Sequence, residues 1–365
     1  MKILHAAETI KGGVATVINS LVDHQTKLNR IEQVSCLIPS DQIDNLNSSE
    51  RLLTFTFNRN GRSLIGMISF ALVFLKILLK EKPDVVHLHS SFAGLIGRII
   101  IVCSLRKSRT KVIYCPHAFG FLMQTSKFKQ KIYIWVEKFL SIFTDKIICV
   151  SQSEYNCAIK YGFSKENLIV IHNGVKIKDK TNKRNLNHKS HYKILFVGRF
   201  DYQKGIDILA GAISLLCEKP SHMKYEFTLV GESVNSNEKV FFKQNNNVKI
   251  NELGWLKPDI LEEQYLTHDI LVIPSRWEGF AMVPLEAMSY GLPIIASNID
   301  AFRELKQEDK PHILYFESDM NNLYQIFTNL EYVDLEEYST NSLDLFKQKY
   351  TDEIMLSNTL NCYKH

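Results

Sequence analysis

The sequence predicts an α/β protein built from two successive domains, each with a doubly wound parallel sheet. Short apolar runs alternate with helical stretches in the first half, and the alternation restarts after a polar, lysine-rich segment. Alternation of this kind is typical of parallel sheets covered on both faces. The length of 365 residues suits two domains of roughly 150–180 residues each.

These patterns give the expected domain boundaries. We expect an N-terminal domain over residues 1–178, a linker over 179–192 and a C-terminal domain over 193–341. The stretch 342–363 is a helix candidate, and we expect residues 342–365 to return to the N-terminal domain. Two such domains would each present the carboxyl ends of their strands to a cleft, where ligands of open α/β sheets bind.

The elements follow from the apolar runs. The chain opens with a strand-like run, KILHAA, then a Gly-Gly turn and a helix that starts near Val14. Further strands are expected at 34–38, 84–89, 111–116, 145–150, 193–198, 225–231, 248–254, 269–275 and 293–297.

Composition is that of a globular protein, with 45% hydrophobic and 23% charged residues. The N-terminus lacks the apolar core of a signal peptide. The seven cysteines include no CxxC pair and most lie in apolar runs, so we expect reduced core thiols of a cytoplasmic protein. No clustered metal ligands are evident, and no zinc site is expected.

The apolar stretch Leu64–Leu79 resembles a membrane span. It is about four residues short of the roughly 20 that cross a bilayer, and Lys76 interrupts it. We expect a buried or interfacial helix.

Charge is distributed unevenly. Residues 1–180 hold 25 Lys and Arg against 13 Asp and Glu, whereas the remainder holds 19 against 26. A basic N-terminal half suggests an anionic partner such as a membrane surface, a lipid phosphate or nucleic acid. Solvated surface lysines explain the excess equally well. No recognisable nucleic-acid reading element is present, so a nucleic-acid partner is not expected.

The most informative stretch is 274–293, PSRWEGFAMVPLEAMSYGLP. A strand precedes it, and we expect a helix to begin at Pro284, because proline is favoured in the first helical turn. Backbone N–H groups would point out of that helix start and form a site for a diphosphate. The residues expected to supply them are Phe280, Ala281, Met282 and Val283.

Two glutamates flank this expected anion site. Because carboxylates repel phosphate, Glu278 and Glu286 should bind neutral hydroxyls, sugar hydroxyls for Glu278 and ribose hydroxyls for Glu286. The alternative is that Glu286 merely favours a helix N-terminus and Glu278 is a surface charge. Spacing alone leaves both interpretations open.

A second group lies in FVGRFDYQKG at 196–205. Arg199 and Lys204 follow a strand, so both side chains could converge on the same diphosphate and stabilise its leaving charge. Two basic residues in a loop are weak evidence on their own.

The N-terminal half offers further candidates. Gly12 and Gly13 follow the first strand, where glycine permits close backbone approach to a phosphate or sugar. The GxGxxG fingerprint is absent, which disfavours hydride chemistry. His117 follows a strand at the expected domain edge, although a lone histidine is more often structural. His87 and His89 have similar positions and could bind an acceptor.

Taken together, these residues resemble the family 4 glycosyltransferases with the GT-B fold. The resemblance covers nearly the whole chain, and its most specific part is EGFAMVPLE at 278–286, two glutamates separated by seven residues. The other matching stretches are GG (12–13), PDVVHLH (83–89), PHAFGF (116–121), TDKIICVSQSE (144–154), HNGV (172–175), VGRFDYQKG (197–205), LVGE (229–232) and ELGW (252–255).

The resemblance implies a retaining hexosyl or N-acetylhexosaminyl transfer. The residues matching Arg199 and Lys204 grip the diphosphate, and the one matching Glu278 holds sugar hydroxyls. The residue matching Glu286 holds the ribose, and His117 matches a histidine near the donor sugar. The family often has glycine where this chain has Ala281, so we expect a different fit around the donor sugar.

The resemblance also implies partners. The expected donor is a UDP-sugar, and the expected acceptor is a polyprenyl-diphosphate-linked glycan of O-antigen or capsule assembly. The basic first half, the 64–79 segment and a Phe119–Phe121 patch fit peripheral contact with an anionic membrane, on its cytoplasmic face. No Asp-x-Asp motif is present, and no metal is expected. A nucleotide-sugar epimerase of the same architecture and an inactive sugar-nucleotide-binding paralogue are the alternatives.

Overall fold

A computed structural model describes residues 1–59, 64–122, 126–178, 186, 190–219, 222–233, 240–307 and 310–364. The chain divides into two compact units. The first comprises Met1–Gly174 together with Asp352–His365, and the second comprises Val175–Thr351.

The first unit is built on a seven-stranded sheet in the order β3-β2-β1-β4-β5-β6-β7, and all its strand pairs are parallel. The order reverses between β1 and β4, which pair with His5 opposite His87. The strands are β1 (Lys2–Ala7), β2 (Gln33–Pro39), β3 (Leu52–Phe57), β4 (Val85–His89), β5 (Lys111–Cys115), β6 (Lys146–Cys149) and β7 (Leu168–Val170).

Five α-helices lie between these strands within the described ranges. Ser126 caps α4 by accepting a hydrogen bond from the Lys129 backbone N–H, and Ser151 caps α5 in the same way through Glu154. The helices are α1 (Gly13–Gln25), α2 (Leu64–Lys80), α3 (Ser91–Cys103), α4 (Lys127–Ser141) and α5 (Gln152–Lys160). Throughout the described ranges, every helix is too short or too polar to cross a bilayer.

The second unit holds a six-stranded parallel sheet in the order β10-β9-β8-β11-β12-β13, which reverses between β8 and β11. The strands are β8 (His191–Val197), β9 (Lys224–Val230), β10 (Val248–Gly254), β11 (Ile270–Ile273), β12 (Ile294–Ser297) and β13 (Ile313–Phe316). The helices are α6 (Ile206–Glu218), α7 (Pro258–Thr267), α8 (Met282–Ser289), α9 (Asp300–Arg303), α10 (Met320–Thr328) and α11 (Leu335–Lys349).

The chain crosses from the second unit to the first near Thr351. The expected single helix over 342–363 is wrong, because the non-helical Tyr350 separates α11 from α12 (Asp352–Lys364). Residues 342–351 therefore belong to the second unit, and only α12 belongs to the first, where it packs against α1 and β5.

The expected linker also differs from the structure. His191 and Tyr192 already form the start of β8, and the first unit ends at Gly174 rather than at residue 178. The lysine-rich residues 179–185 and 187–189 lie outside the described ranges.

Two expectations about apolar residues need correction. Phe119 and Phe121 are fully buried and stack with ring centroids 4.6 Å apart, so they belong to the core and not to a membrane patch. All seven cysteines are free thiols and four are buried, but Cys103 is exposed at the end of α3.

Candidate functional site

The loops that follow β8 and β11 meet at the point where the strand order of the second sheet reverses. Open α/β sheets bind ligands at such reversal points. Gly205 lets the two loops touch: it has a φ of 66°, and a Cβ there would lie 1.9 Å from the carbonyl oxygen of Pro274. A glycine is therefore required for this approach.

Side chains and backbone groups fix one loop on the other. The Arg276 backbone N–H donates to the Gln203 carbonyl at 2.8 Å, and the Gln203 amide donates to the Trp277 carbonyl at 3.2 Å. The Arg276 guanidinium forms a bidentate pair with Asp207, with N–O distances of 2.7 and 2.6 Å. The loops therefore form one braced platform at the carboxyl ends of β8 and β11.

Lys204 and Glu278 meet on this platform. The Lys204 ammonium donates to Glu278 Oε1 at 2.6 Å, and the Ser275 hydroxyl donates to the same oxygen at 2.8 Å. The side chains are 19% and 7% exposed respectively. Glu278 is therefore not a surface charge, and one of its two oxygens is free of these two bonds.

Arg199 lies on the same loop as Lys204 but contacts different groups. Its guanidinium donates to Gln203 Oε1 at 2.8 Å and lies 3.2 Å from Asp201 Oδ2. The Arg199 side chain is 44% exposed. The structure thus brings Lys204 directly to Glu278 and links Arg199 to the platform through Gln203.

The helix start that follows Glu278 lies earlier than expected. Helix α8 begins at Met282 with Ala281 as its N-cap, so Pro284 is the third helical residue rather than the first. Because proline has no N–H, the amides without an intrahelical partner at the start of α8 are those of the N-cap Ala281 and of Met282 and Val283. The amide of Phe280 precedes the helix and is not part of its first turn.

Glu286 lies on α8 and is largely removed from water. Its Oε2 accepts a hydrogen bond from the Tyr265 hydroxyl at 2.8 Å. Burial raises the pKa of Glu286, although the Tyr265 bond and the charge of Lys178 oppose the shift. The Tyr265 ring in turn stacks on Tyr290 at 5.5 Å.

The remaining candidates lie in the first unit. Gly12 has a φ of 55° and caps α1, which begins at Gly13. A Cβ on Gly12 would meet open space, so the positive φ, rather than crowding, favours glycine there. Both glycines follow β1, one of the two strands at which the order of this sheet reverses.

A chain of histidines occupies this same reversal point. His5 Nδ1 lies 3.0 Å from His89 Nε2, and His89 Nδ1 lies 3.0 Å from His117 Nε2. The other end is fixed by Gln25, whose Oε1 lies 2.8 Å from His5 Nε2. His87 stacks on His89 at 4.1 Å and bonds the hydroxyl of Tyr363 on α12 at 2.7 Å.

The Gln25 carbonyl oxygen sets the direction of this chain, because it only accepts hydrogen bonds. His5 therefore carries its proton on Nε2 and accepts at Nδ1 from His89. His89 likewise accepts at Nδ1 from His117. His117 is thus an Nε2–H tautomer whose Nδ1 carries a lone pair.

Burial keeps these imidazoles neutral. It lowers the pKa of His5 and of His117 to about 4, and the Gln25 bond opposes the shift of His5. The pKa values of His87 and His89 also fall well below the ordinary value, first through burial and then through neighbouring histidines. His117 is also held at a positive φ of 53°.

Two expectations for these histidines are wrong. His87 and His89 are at most 2% exposed, so they are not placed to bind an acceptor. The expectation that no metal ligands cluster is also incorrect, because nitrogens of His5, His87 and His89 lie within 4.8 Å of one another. Most of these nitrogens are hydrogen-bonded to one another or to Gln25 and Tyr363. Among the ring nitrogens of His5, His87 and His89, His87 Nε2 is the one that is buried without a hydrogen-bond partner.

Sequence reasoning missed several residues of these sites. Ser275, Gln203 and Arg276 brace the platform, and Gln25 and Tyr363 complete the histidine chain. Most of their partners lie 20 or more residues away along the chain, so the local sequence offers no signal for them; the exceptions are Ser275, three residues before Glu278, and Gln203, four residues after Arg199. Two cations near an expected anion site were visible, but their partners were not.

Two protein-family models match the chain. The model described as Glycosyltransferase Family 4 matches residues 11–179, and the model described as Glycosyl transferases group 1 matches residues 177–331. Together they span both units.

Individual proteins match as well. A 41.2 kDa protein of the cps region of Klebsiella pneumoniae is 38% identical over 89% of this chain and 89% of its own. The UDP-Gal:alpha-D-GlcNAc-diphosphoundecaprenol alpha-1,3-galactosyltransferase of Escherichia coli is 32% identical over 65% of this chain and 64% of its own. Among solved structures, Anabaena HepE in complex with UDP superposes with a TM-score of 0.74, 18% identity and 99% coverage of both chains.

Proposed function

Because the chain belongs to the family 4 glycosyltransferases and has their GT-B fold, we propose that it transfers a sugar from a UDP-sugar, with retention, onto a polyprenyl-diphosphate-linked glycan. The transfer is a step of O-antigen or capsule assembly on the cytoplasmic face of a membrane. The observation that carries this proposal is the meeting of Lys204 and Glu278 at the reversal point of the second sheet.

Lys204 and the start of α8 provide for the donor diphosphate. An ammonium has three N–H donors, so the single bond to Glu278 leaves donors for phosphate oxygens. The Met282 and Val283 amides open the first turn of α8, where the helix dipole favours an anion. Arg199, on the same loop as Lys204, supplies a second cation.

Glu278 and Glu286 provide for hydroxyl groups. Glu278 has one oxygen beyond its bonds to Lys204 and Ser275, and a carboxylate oxygen accepts from sugar hydroxyls. Oε2 of Glu286 accepts the Tyr265 hydrogen bond, and the other carboxyl oxygen accepts a hydrogen bond from a ribose hydroxyl. The buried partners hold both side chains in place before a donor binds, which favours catalysis by preorganisation.

The proposed chemistry is attack from the face that the diphosphate leaves. The acceptor oxygen bonds to the anomeric carbon as the bond from that carbon to the phosphate oxygen breaks, and the acceptor proton passes to a phosphate oxygen. Negative charge then develops on the diphosphate, where Lys204, Arg199 and the α8 amides stabilise it. His117, neutral and with a lone pair on Nδ1, is able to accept a hydrogen bond from a sugar hydroxyl.

The names of similar proteins support the donor and acceptor. HepE binds UDP, and the E. coli galactosyltransferase uses UDP-galactose and a diphosphoundecaprenol acceptor. The K. pneumoniae relative is encoded in a cps region. A polyprenyl acceptor is confined to a membrane, which agrees with the basic first half of the chain.

The test is a screen of UDP- and GDP-sugars against lipid extract containing polyprenyl-diphosphate glycans. We expect one UDP-sugar to give a lipid-linked product whose new linkage has the donor's anomeric configuration by NMR. Donor incubated alone is the control: conversion to an epimeric UDP-sugar without acceptor would favour the epimerase. UDP binding without turnover of any donor would favour an inactive paralogue.

We also expect the activity to persist in excess EDTA, because protein cations cover the diphosphate. Initial rates with and without chelator should agree within about twofold. Loss of activity that Mn²⁺ or Mg²⁺ restores would contradict this prediction. Comparing the metal content of the purified chain with its activity, before and after chelation, distinguishes a catalytic ion from one held by the three clustered histidines.

A further inference from the structure

Helix α4 displays an apolar stripe toward solvent. Its members recur at alternating spacings of four and three residues, which places them on one helical face. They are Phe128, Ile132, Trp135, Phe139 and Ile142, from 43% to 74% exposed. Amphipathic helices of globular proteins normally bury such a stripe, so this one lacks its partner in the described part of the chain.

The opposite face of α4 is fixed to the unit by a buried ion pair. Glu137 accepts from Arg98 of α3 at 2.6 Å and from the Tyr114 hydroxyl of β5 at 2.9 Å. The Arg98 guanidinium also lies 4.1 Å from the centroid of the Tyr114 ring. The orientation of α4 is therefore set by its inner face, and the outward apolar stripe follows from it.

The same contact decides the charge of the outer face. Glu137 is the only acidic residue of α4, and it is buried. All four lysines of α4, Lys127, Lys129, Lys131 and Lys138, are exposed. The solvent side of α4 thus combines aromatic and aliphatic side chains with uncompensated positive charge.

This surface continues onto the neighbouring helices. Helices α2, α3 and α4 connect strands in the same direction across the sheet, so right-handed crossovers place them on one face, and α3 packs against both others. Helix α2 exposes five large apolar side chains: Leu64, Ile65, Ile68, Leu72 and Leu79. A groove with a wholly apolar lining separates α2 from α3.

We propose that the outer face of α2, α3 and α4 binds the surface of an anionic lipid bilayer, with the α4 stripe inserted among the acyl chains and its lysines at the headgroups. This inference deepens the proposed function, because a lipid-linked acceptor would be met at that surface. The excess of positive charge in the first half of the sequence suggests an anionic partner but does not locate the surface that binds it. This inference locates that surface.

Charge favours a bilayer over a second copy of this chain. Paired α4 stripes would bring two sets of four lysines together, and like charges in a contact are unfavourable. An anionic bilayer supplies the opposite charge and attracts lysines that lie near its surface. Trp135 and Tyr133 are of the kind enriched at membrane interfaces, and lysine stems reach from an apolar face to the headgroups.

The test is co-sedimentation of the full chain with vesicles, without donor or acceptor. We expect binding to vesicles of equal parts phosphatidylcholine and phosphatidylglycerol, and at least tenfold weaker binding to phosphatidylcholine alone. Replacing the four α4 lysines with Gln should weaken anionic binding at least tenfold. Trp135→Ser with Phe139→Ser should weaken it about tenfold or more.

Matched controls lie on the second unit. Gln substitution of four exposed lysines there changes net charge equally, and we expect little effect on binding; they are Lys224, Lys257, Lys306 and Lys349. Phe241→Ser with Trp255→Ser, both exposed, is the apolar control. Equal loss in test and control variants would overturn the docking face.

Two further outcomes would also overturn the inference. One is no binding of the unaltered chain to anionic vesicles. The other is a dimer in sedimentation velocity that the Trp135 and Phe139 changes dissolve, without lipid binding. Transfer to a water-soluble acceptor tests the proposed function separately. Transfer without vesicle binding would support the proposed function and reject this docking face. Vesicle binding without transfer would support the docking face and not the proposed function.

Discussion

Lys204→Ala lowers turnover by about 100-fold or more, if Lys204 stabilises the leaving diphosphate as proposed. The loss arises because the ammonium, which lies 2.6 Å from Glu278, is held in place by the braced loops, and solvent does not replace a positioned cation at the leaving diphosphate. UDP affinity should fall as well, since the same ammonium contacts the product. Steady-state kinetics of the transfer and calorimetric titration with UDP measure the two effects.

Three further variants resolve the platform. Arg199→Ala should also lower turnover by about 100-fold, whereas Glu278→Ala should abolish transfer but leave UDP binding measurable. Lys257→Ala, an exposed lysine of the same unit, is the control and should keep full activity. Near-normal turnover of both Lys204→Ala and Arg199→Ala would remove the assignment.

The first unit is expected to lose stability in acid. His5 has a folded-state pKa of about 4 and an unfolded-state pKa of about 6.5, so the unfolded chain takes up the proton first. Its contribution is complete above about pH 7 and falls as the pH approaches 4. At pH 5, His5 alone reduces the free energy of unfolding by about 2 kcal/mol relative to neutral pH.

Urea unfolding at pH 5.0 and 7.5, followed by pulsed hydrogen exchange at one labelling pH, measures this effect in peptides of β1 and β4. His5→Gln removes one titrating group, and the difference between the two pH values should shrink by about 2 kcal/mol. His24→Gln, in α1 but outside the histidine chain, serves as control. An unchanged pH difference in His5→Gln would show that His5 is not the group that titrates.

The architecture was readable from the sequence because buried parallel strands are continuous apolar runs. KILHAA, DVVHLH and KILFVG each became central strands, and the GT-B fold that the resemblance implied is confirmed. The missed strands β3, β7 and β13 are short or lie at the sheet edges. Half-exposed edge runs such as LLTFTF at 52–57 lack the clear apolar signal of a central strand.

Helix boundaries and side-chain partners were less accessible. Any position of the first helical turn tolerates proline. Pro284 therefore did not show that α8 begins two residues earlier, at Met282. The pairing of Lys204 with Glu278 spans 74 residues and depends on strand order, which one sequence does not specify. The histidines appeared isolated because β1 and β4 are neighbours in the sheet, yet paired residues such as His5 and His87 lie 82 residues apart along the chain.

The placement of α12 has a consequence for synthesis. Tyr363, Cys362 and Leu360 are buried in the first unit, and the Tyr363 hydroxyl satisfies His87. The ribosome synthesises these residues only after the whole second unit. The first unit therefore lacks α12 until synthesis ends, although its strands are synthesised first. Domains usually fold in the order of their synthesis; in this chain the continuous second unit can finish before the first.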